Sequence, residues 1–191
     1  MFNAKGLIVL EGSDCTGKTT LAKNLTKLFH NIIIVHHTYY EVGQYSVLKH
    51  SLVNAIEWIS QGQLVIFDRF DMSETIYGQV YREGSRITQT ETIELLKLLR
   101  SVQTLQIICT PDNVETIVDT HKNMKEQRYE MYDDIRQVAE IYLKVAQKWR
   151  KEKIPDKIVY DWTKNNKSSS EIIKVAGLIT QELGINYASS K

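Results

Sequence analysis

Short apolar runs alternate along the chain with longer stretches in which apolar residues recur every three to four positions. The runs at 6–11 (GLIVLE), 31–36 (NIIIVH), 63–68 (QLVIFD), 104–109 (TLQIIC) and 157–161 (KIVYD) have strand length and strand composition. Between them the spacing turns helical. Leu21, Leu25, Leu28 and Phe29 share one face after the first run, and Ile135, Val138, Tyr142, Val145 and Trp149 share one over 132–150. That second set reads its aromatics as core, not as base-stacking groups. Three helix starts carry a capping box, Thr88 with Glu91, Asp112 with Glu115 and Ser168 with Glu171, while Gly184 ends the last helix. Strands alternating with helices imply a parallel sheet with crossover helices. The expected fold is α/β, doubly wound, with a five-stranded parallel sheet flanked by helices on both faces.

Composition narrows the picture. A chain of 191 residues suits a single domain, 1–191, with a full core. Lys and Arg number 24 against 23 Asp and Glu, and a net charge of +1 provides no footprint for a nucleic-acid polymer or an anionic membrane. The apolar runs are strand-sized and the start, MFNAKG, has no leader pattern, so a cytoplasmic protein is expected. Cys15 and Cys109 form neither a metal-ligand spacing nor a disulfide framework, and both are expected to be reduced thiols.

Candidate chemistry begins directly after the first strand. Residues 12–19, GSDCTGKT, satisfy the phosphate-cradling pattern G-x-x-x-x-G-K-[ST] between a strand and a helix. Its glycines let successive N–H groups point at phosphate oxygens, and the following helix adds its positive end. The segment Gly12, Ser13, Asp14, Cys15, Thr16, Gly17, Lys18, Thr19 and Thr20 is therefore the expected cradle for ATP, a P-loop, with Lys18 on the β- and γ-phosphates and the Thr19 hydroxyl on Mg²⁺. The third strand ends in Asp68 and Arg69, at the side of an open parallel sheet where ligands lie. A hydrolase would place a glutamate or glutamine there to position water, whereas an arginine suits bidentate capture of a second phosphate.

The strings LEGSDCTGKTTLAKNL and FDRFDMSETIYGQVYREGSR together resemble the thymidylate kinase family, with matching element order over about residues 5–185. The resemblance implies transfer of the γ-phosphoryl group of ATP to a deoxynucleoside monophosphate, dTMP first among them, with Mg²⁺. Position by position it implies Asp14 facing the acceptor phosphate and metal, Asp68 beside Mg²⁺, Arg69 clamping the acceptor monophosphate, and Tyr77 where a 2′-hydroxyl would sit. Ser73 and Gln79 would lie near the base edge. The P-loop's variable positions contain no basic residue, so the resemblance also implies a cationic lid at about 119–130, where Arg128 and Lys125, after His121 and Lys122, would stabilise transferring charge. A small-molecule nucleotide is the expected partner, and a homodimer is plausible by resemblance.

The chain departs from the family after the second strand. HHTYYEVGQY, residues 36–45, replaces the usual arginine, glutamate, proline and glycine run, a divergence similar to that of viral or phage members. Tyr45 and Lys49 reproduce the spacing of the family's base-contacting aromatic and arginine, while Tyr39 and Tyr40 lie where they can reach the acceptor. Trp162 suits either an adenine stack or a plug under the last helix. Two other readings remain. Kinases of unphosphorylated deoxynucleosides usually end the third strand in glutamate, arginine and serine, where this chain has Asp68, Arg69 and Phe70. A GTP-dependent switch needs an asparagine, lysine and aspartate set that Asn166, Lys167, Ser168 and Ser169 do not complete.

Overall fold

The computed structural model describes residues 2–123, 132–164 and 169–184. Five strands, β1 (Gly6–Glu11), β2 (Ile32–His36), β3 (Leu64–Asp68), β4 (Thr104–Cys109) and β5 (Lys157–Tyr160), lie within a residue or so of the apolar runs. They form one all-parallel sheet in the order β2-β3-β1-β4-β5. The expected α/β architecture is present. Eight helices occur among the described residues: α1 (Lys18–Leu25), α2 (Tyr39–Val42), α3 (Tyr45–Ser60), α4 (Asp71–Tyr81), α5 (Gln89–Leu99), α6 (Val114–Lys122), α7 (Tyr132–Glu152) and α8 (Ser169–Leu183).

Side chains alternate across a strand, so β1 divides the core into two layers. Ile8 and Leu10 pack with Leu64, Ile66, Leu105 and Ile107 beneath α1 and α8. Leu7 and Val9 face the other way, with Val65 and Phe67, beneath α3 and α5. On that second side α4 and α7 pack over Ile108 through Ile76, Tyr77, Val138, Tyr142 and Trp149. Tyr142 and Trp149 are thus core, as their spacing requires. Burial on both faces is what lets parallel strands read as nearly continuous apolar runs.

Local differences have local causes. Helix α1 stops at Leu25, where the Thr26 hydroxyl donates to the Lys23 carbonyl at 2.8 Å, yet Leu28 and Phe29 still reach the core from the turn beyond. Helix α2 carries its own capping box, Thr38 with Glu41, within the sequence that departs from the family pattern. Thr88 and Glu91 cap α5 as expected. The cap of α6 is Asn113, whose side chain accepts from Glu115 N at 3.0 Å, because Asp112 is drawn away to Arg150 and to Lys164. Ser168 lies outside the described residues, as do Lys125 and Arg128 of the expected lid.

Candidate nucleotide-binding cleft

The P-loop stands where β1 ends against the carboxyl end of β4. Gly12 has φ +144°, and a Cβ there would come within 2.4 Å of the Cys109 carbonyl oxygen and 2.8 Å of Thr16 Oγ1. Only glycine fits. The loop is tied internally by Thr16 Oγ1, which donates to Ser13 O at 2.8 Å, and Gly17 turns the chain into α1 with φ +80°. Lys18 is buried, and its Nζ donates to the carbonyls of Gly12 at 2.9 Å and Ser13 at 2.7 Å. Burial, followed by the charge of Arg69, pulls the Lys18 pKa down.

A cleft of about 1160 Å³ opens above this loop, and Asp14 through Thr20 contribute to its wall. Trp162, after β5, lines it too, with its ring close enough to Gly17 that a Cβ there would meet Trp162 Cδ1 at 3.4 Å. Trp162 also packs on the core beneath α8 while lining the cleft, a position open to either of its expected roles. Neither Cys15 nor Cys109 is in a disulfide, and burial pushes the Cys109 thiol up to about 12, leaving it protonated and inert.

Thr19 Oγ1 donates to Asp68 Oδ2 at 2.7 Å across the mouth of the sheet. The same oxygen meets Nδ1 of His36 at 3.1 Å, a neighbour that the sequence offered no reason to single out. Asp68 Oδ1 is buried with no hydrogen-bond partner among the described residues. A hydroxyl beside a carboxylate with an unsatisfied oxygen is a hard, all-oxygen pair of the kind that suits Mg²⁺ and its waters. Among the described residues no group of three or more His, Cys, Asp or Glu able to hold a metal occurs, and an ion held by Thr19 and Asp68 would take its other ligands from phosphate and water.

Arg69 is the first residue past β3. Its φ is +81°, a left-handed conformation rare outside glycine, and it is 8% exposed. Two neighbours hold that backbone: Arg69 N donates to Leu10 O at 3.0 Å, and His37 Nδ1 donates to Arg69 O at 2.8 Å. The other ring nitrogen of His37 accepts from Ser51 Oγ at 3.0 Å, which fixes the tautomer. Burial lowers the His37 pKa and keeps the ring neutral. The turn carries the guanidinium into the cleft, where it is paired with Asp14 and sits 5.1 Å over the ring of Tyr77. Asp14, Arg69 and Tyr77, expected to work together, are assembled at one place.

Tyr39 and Tyr40, at the start of α2, line the same wall, and Tyr81 joins them from α4. Sequence reasoning missed Tyr81, although its spacing of one helical turn from Tyr77 could have found it.

Four expected base contacts lie elsewhere. Ser73 is fully buried under α4, with its hydroxyl donating to Glu11 Oε2 at 2.5 Å and 3.0 Å from Tyr142 Oη. Gln79 points to solvent on the outer side of α4. Tyr45 and Lys49 meet as their spacing implies, but on Glu94 of α5, with Lys49 Nζ donating at 2.8 Å, and neither lines the cleft. The cause is charge pairing: α5 offers a carboxylate where the resemblance implies a base.

Glu11 explains the position of Ser73. The alternation of β1 turns it to the side of Leu7 and Val9, beneath the first turn of α4. There it accepts from Phe70 N at 2.9 Å, Ser73 N at 3.3 Å and Tyr142 Oη at 3.0 Å. A strand residue thereby caps a helix whose own N-cap, Phe70, has no side-chain acceptor. Burial raises the Glu11 pKa against these hydrogen bonds.

No protein-family model and no curated protein sequence matches the chain. Solved structures do match it in fold. The YorR protein of Bacillus subtilis, solved with phosphorylated GDP, aligns with a TM-score of 0.63 at 21% identity over 92% of this chain and 95% of its own. Thymidylate kinase from Candida albicans aligns at 0.61 and 17% identity, over 95% of this chain and 93% of its own. Deoxyadenosine kinase from M. mycoides, with dCMP and dCDP as products, aligns at 0.52 and 14% identity, over 92% of this chain and 98% of its own. At these identities the likeness shows the fold, a five-stranded parallel sheet flanked by helices as in P-loop kinases.

Proposed function

We propose that this protein transfers the γ-phosphoryl group of ATP to a deoxynucleoside monophosphate, with dTMP the acceptor that the sequence resemblance names. One observation carries the reading: the Arg69 guanidinium, held by a left-handed backbone, enters the P-loop's own cleft beside Asp14 and over Tyr77. Two cationic groups, Lys18 and Arg69, then face two anionic ligands. In the reaction the bond between the γ-phosphorus and the ADP oxygen breaks, an oxygen of the acceptor phosphate bonds to that phosphorus, and ADP and a deoxynucleoside diphosphate leave.

Such a transfer asks mainly for alignment and charge. The loop N–H groups and Lys18 grip the donor triphosphate. Arg69 grips the acceptor phosphate in a fork that lysine could not reproduce. Tyr77, nearly closed off at 2% exposure, presents a ring against the sugar and leaves little room for a 2′-hydroxyl. Thr19 and Asp68 would hold Mg²⁺, which when bound neutralises part of the phosphate charge. The likeness in fold to a thymidylate kinase and to a deoxyadenosine kinase supports phosphoryl transfer in general.

The test is to incubate the protein with Mg²⁺, ATP and a panel of ribo- and deoxynucleosides and their monophosphates, and to separate the products. Deoxynucleoside diphosphates and ADP are expected. Monophosphates made only from unphosphorylated nucleosides would assign a deoxynucleoside kinase instead, and hydrolysis of ATP or GTP without an acceptor would overturn transfer altogether.

A further inference from the structure

Tyr39, Tyr40, Tyr77 and Tyr81 form a continuous aromatic surface along the cleft from Arg69. Tyr77 lies under the guanidinium, and Tyr81 is stacked on Tyr77 with centroids 5.9 Å apart and ring planes 13° from parallel. Tyr39 meets both, at 5.8 Å and 6.3 Å, and Tyr40 meets Tyr39 edge-on at 5.6 Å. A nucleotide whose phosphate is on Arg69 and whose sugar is over Tyr77 therefore carries its base onto Tyr39, Tyr40 and Tyr81. That order follows from the chemistry of the ligand proposed above, on which this inference rests.

Among the described residues, the side chains that the sequence assigned to the base edge are engaged elsewhere, and the cleft's other polar side chains near the tyrosines are His36, His37, Thr38 and Thr120. Lys49 and Tyr45 are bonded to Glu94, outside the cleft, and Gln79 faces solvent. Arg82 and Arg86 do not line the cleft either. Both pair with the fully buried Glu74, at 2.7 Å and 3.1 Å, and lie over the Tyr39 ring at 4.9 Å and 5.3 Å. Arg86 also donates to Tyr39 O at 2.8 Å, and its guanidinium fills the space in which Gly43 has no side chain. The two arginines thus brace the tyrosine wall. Among the described residues, no Asn or Gln side chain lines the cleft.

We propose that Tyr39, Tyr40 and Tyr81 are the acceptor's base subsite and that they hold the base by its faces, so that purine and pyrimidine deoxynucleoside monophosphates are accepted alike. Every base has a π-face, and stacking on an aromatic contributes about ten- to hundredfold in affinity with little regard to identity. Discrimination by factors of about 10⁴ or more comes from sites whose buried donors and acceptors are left unpaired by the wrong ligand. This wall offers rings and phenol hydroxyls, and the phosphate and sugar do the selecting.

The test is equilibrium binding, by calorimetry, of dTMP, dCMP, dAMP, dGMP and the abasic 2-deoxyribose 5-phosphate to the whole chain, repeated for Tyr40→Ala and Tyr40→Trp. Tyr40 is 70% exposed, so its replacement leaves the core intact. The four nucleotides should bind within about tenfold of one another and at least about tenfold more tightly than the abasic compound. Tyr40→Ala should weaken all four together by about three- to tenfold and leave the abasic compound unchanged, and Tyr40→Trp should restore binding. A preference of a hundredfold or more for one base, or equal losses for the nucleotides and the abasic compound, would overturn the inference. Base-tolerant binding without turnover would sink the transfer reading alone, whereas turnover confined to one base would sink this one.

Discussion

Arg69 occupies a backbone region that costs a side chain about 1–3 kcal/mol, and the hydrogen bond from His37, together with that from Arg69 N to Leu10 O, keeps it there. His37→Ala should therefore misplace the guanidinium and raise the acceptor KM about tenfold or more, with the KM for ATP little changed. His37→Asn, which can still donate to the Arg69 carbonyl, should recover most of the loss. Steady-state kinetics with each substrate varied in turn checks this, and an equal rise in both KM values would mean that His37 serves folding only. At this scale the sequence was informative wherever a residue's task is fixed by its own element. Lys18, Thr19, Asp68 and Arg69 follow a loop or end a strand, and their side chains have nowhere to go but the cleft. Ser73, Tyr45 and Lys49 depend on a second element arriving nearby. Glu11 and Glu94 claim them, and neither encounter is written in local spacing.

Helix α4 shows how one element is assembled from another. Its first turn lacks a side-chain cap of its own, and the carboxylate of Glu11, one strand away, takes that place beneath Phe70 and Ser73. Glu11→Ala should leave those N–H groups unpaired in the interior, and the Ser73 and Tyr142 hydroxyls with only each other, and destabilise the fold by about 2–5 kcal/mol, read from urea unfolding. Because α4 also carries Tyr77 and Tyr81, residual activity should fall with stability. A loss of under about 0.5 kcal/mol would show that water or another group can substitute. The strands were legible nearly to the residue, since an apolar run has one natural length between turns. Helix ends were less so. Thr26 closed α1 early, and Asn113 replaced Asp112 as a cap once Arg150 and Lys164 had drawn Asp112 off.

For the molecule as a whole, the sequence carried the class of fold but not the order β2-β3-β1-β4-β5, which rests on contacts between distant segments. Those contacts also create interior charge. Asp71 is pushed up to about 6 by burial and then by the nearby Glu11 carboxylate. The native state therefore holds a proton there more tightly than the unfolded chain, so its stabilising effect is complete below about pH 4 and is lost as the pH rises through about 6. Asp71→Asn should remove that decline, making the wild type a few degrees less favoured relative to the variant at pH 7 than at pH 4 in thermal melts. A difference that does not change with pH would contradict it. Within the cleft, finally, both cationic groups have partners of their own: Lys18 leans on two carbonyls of its own loop and Arg69 on Asp14. A chloride or sulfate ion entering from the bulk salt would have to break these attachments with a weaker grip than they provide, and would face the Asp14 carboxylate as it did so. On the function proposed above, a ligand that brings several phosphate oxygens and a ring for the tyrosines would offset that exchange where a bystander anion would not.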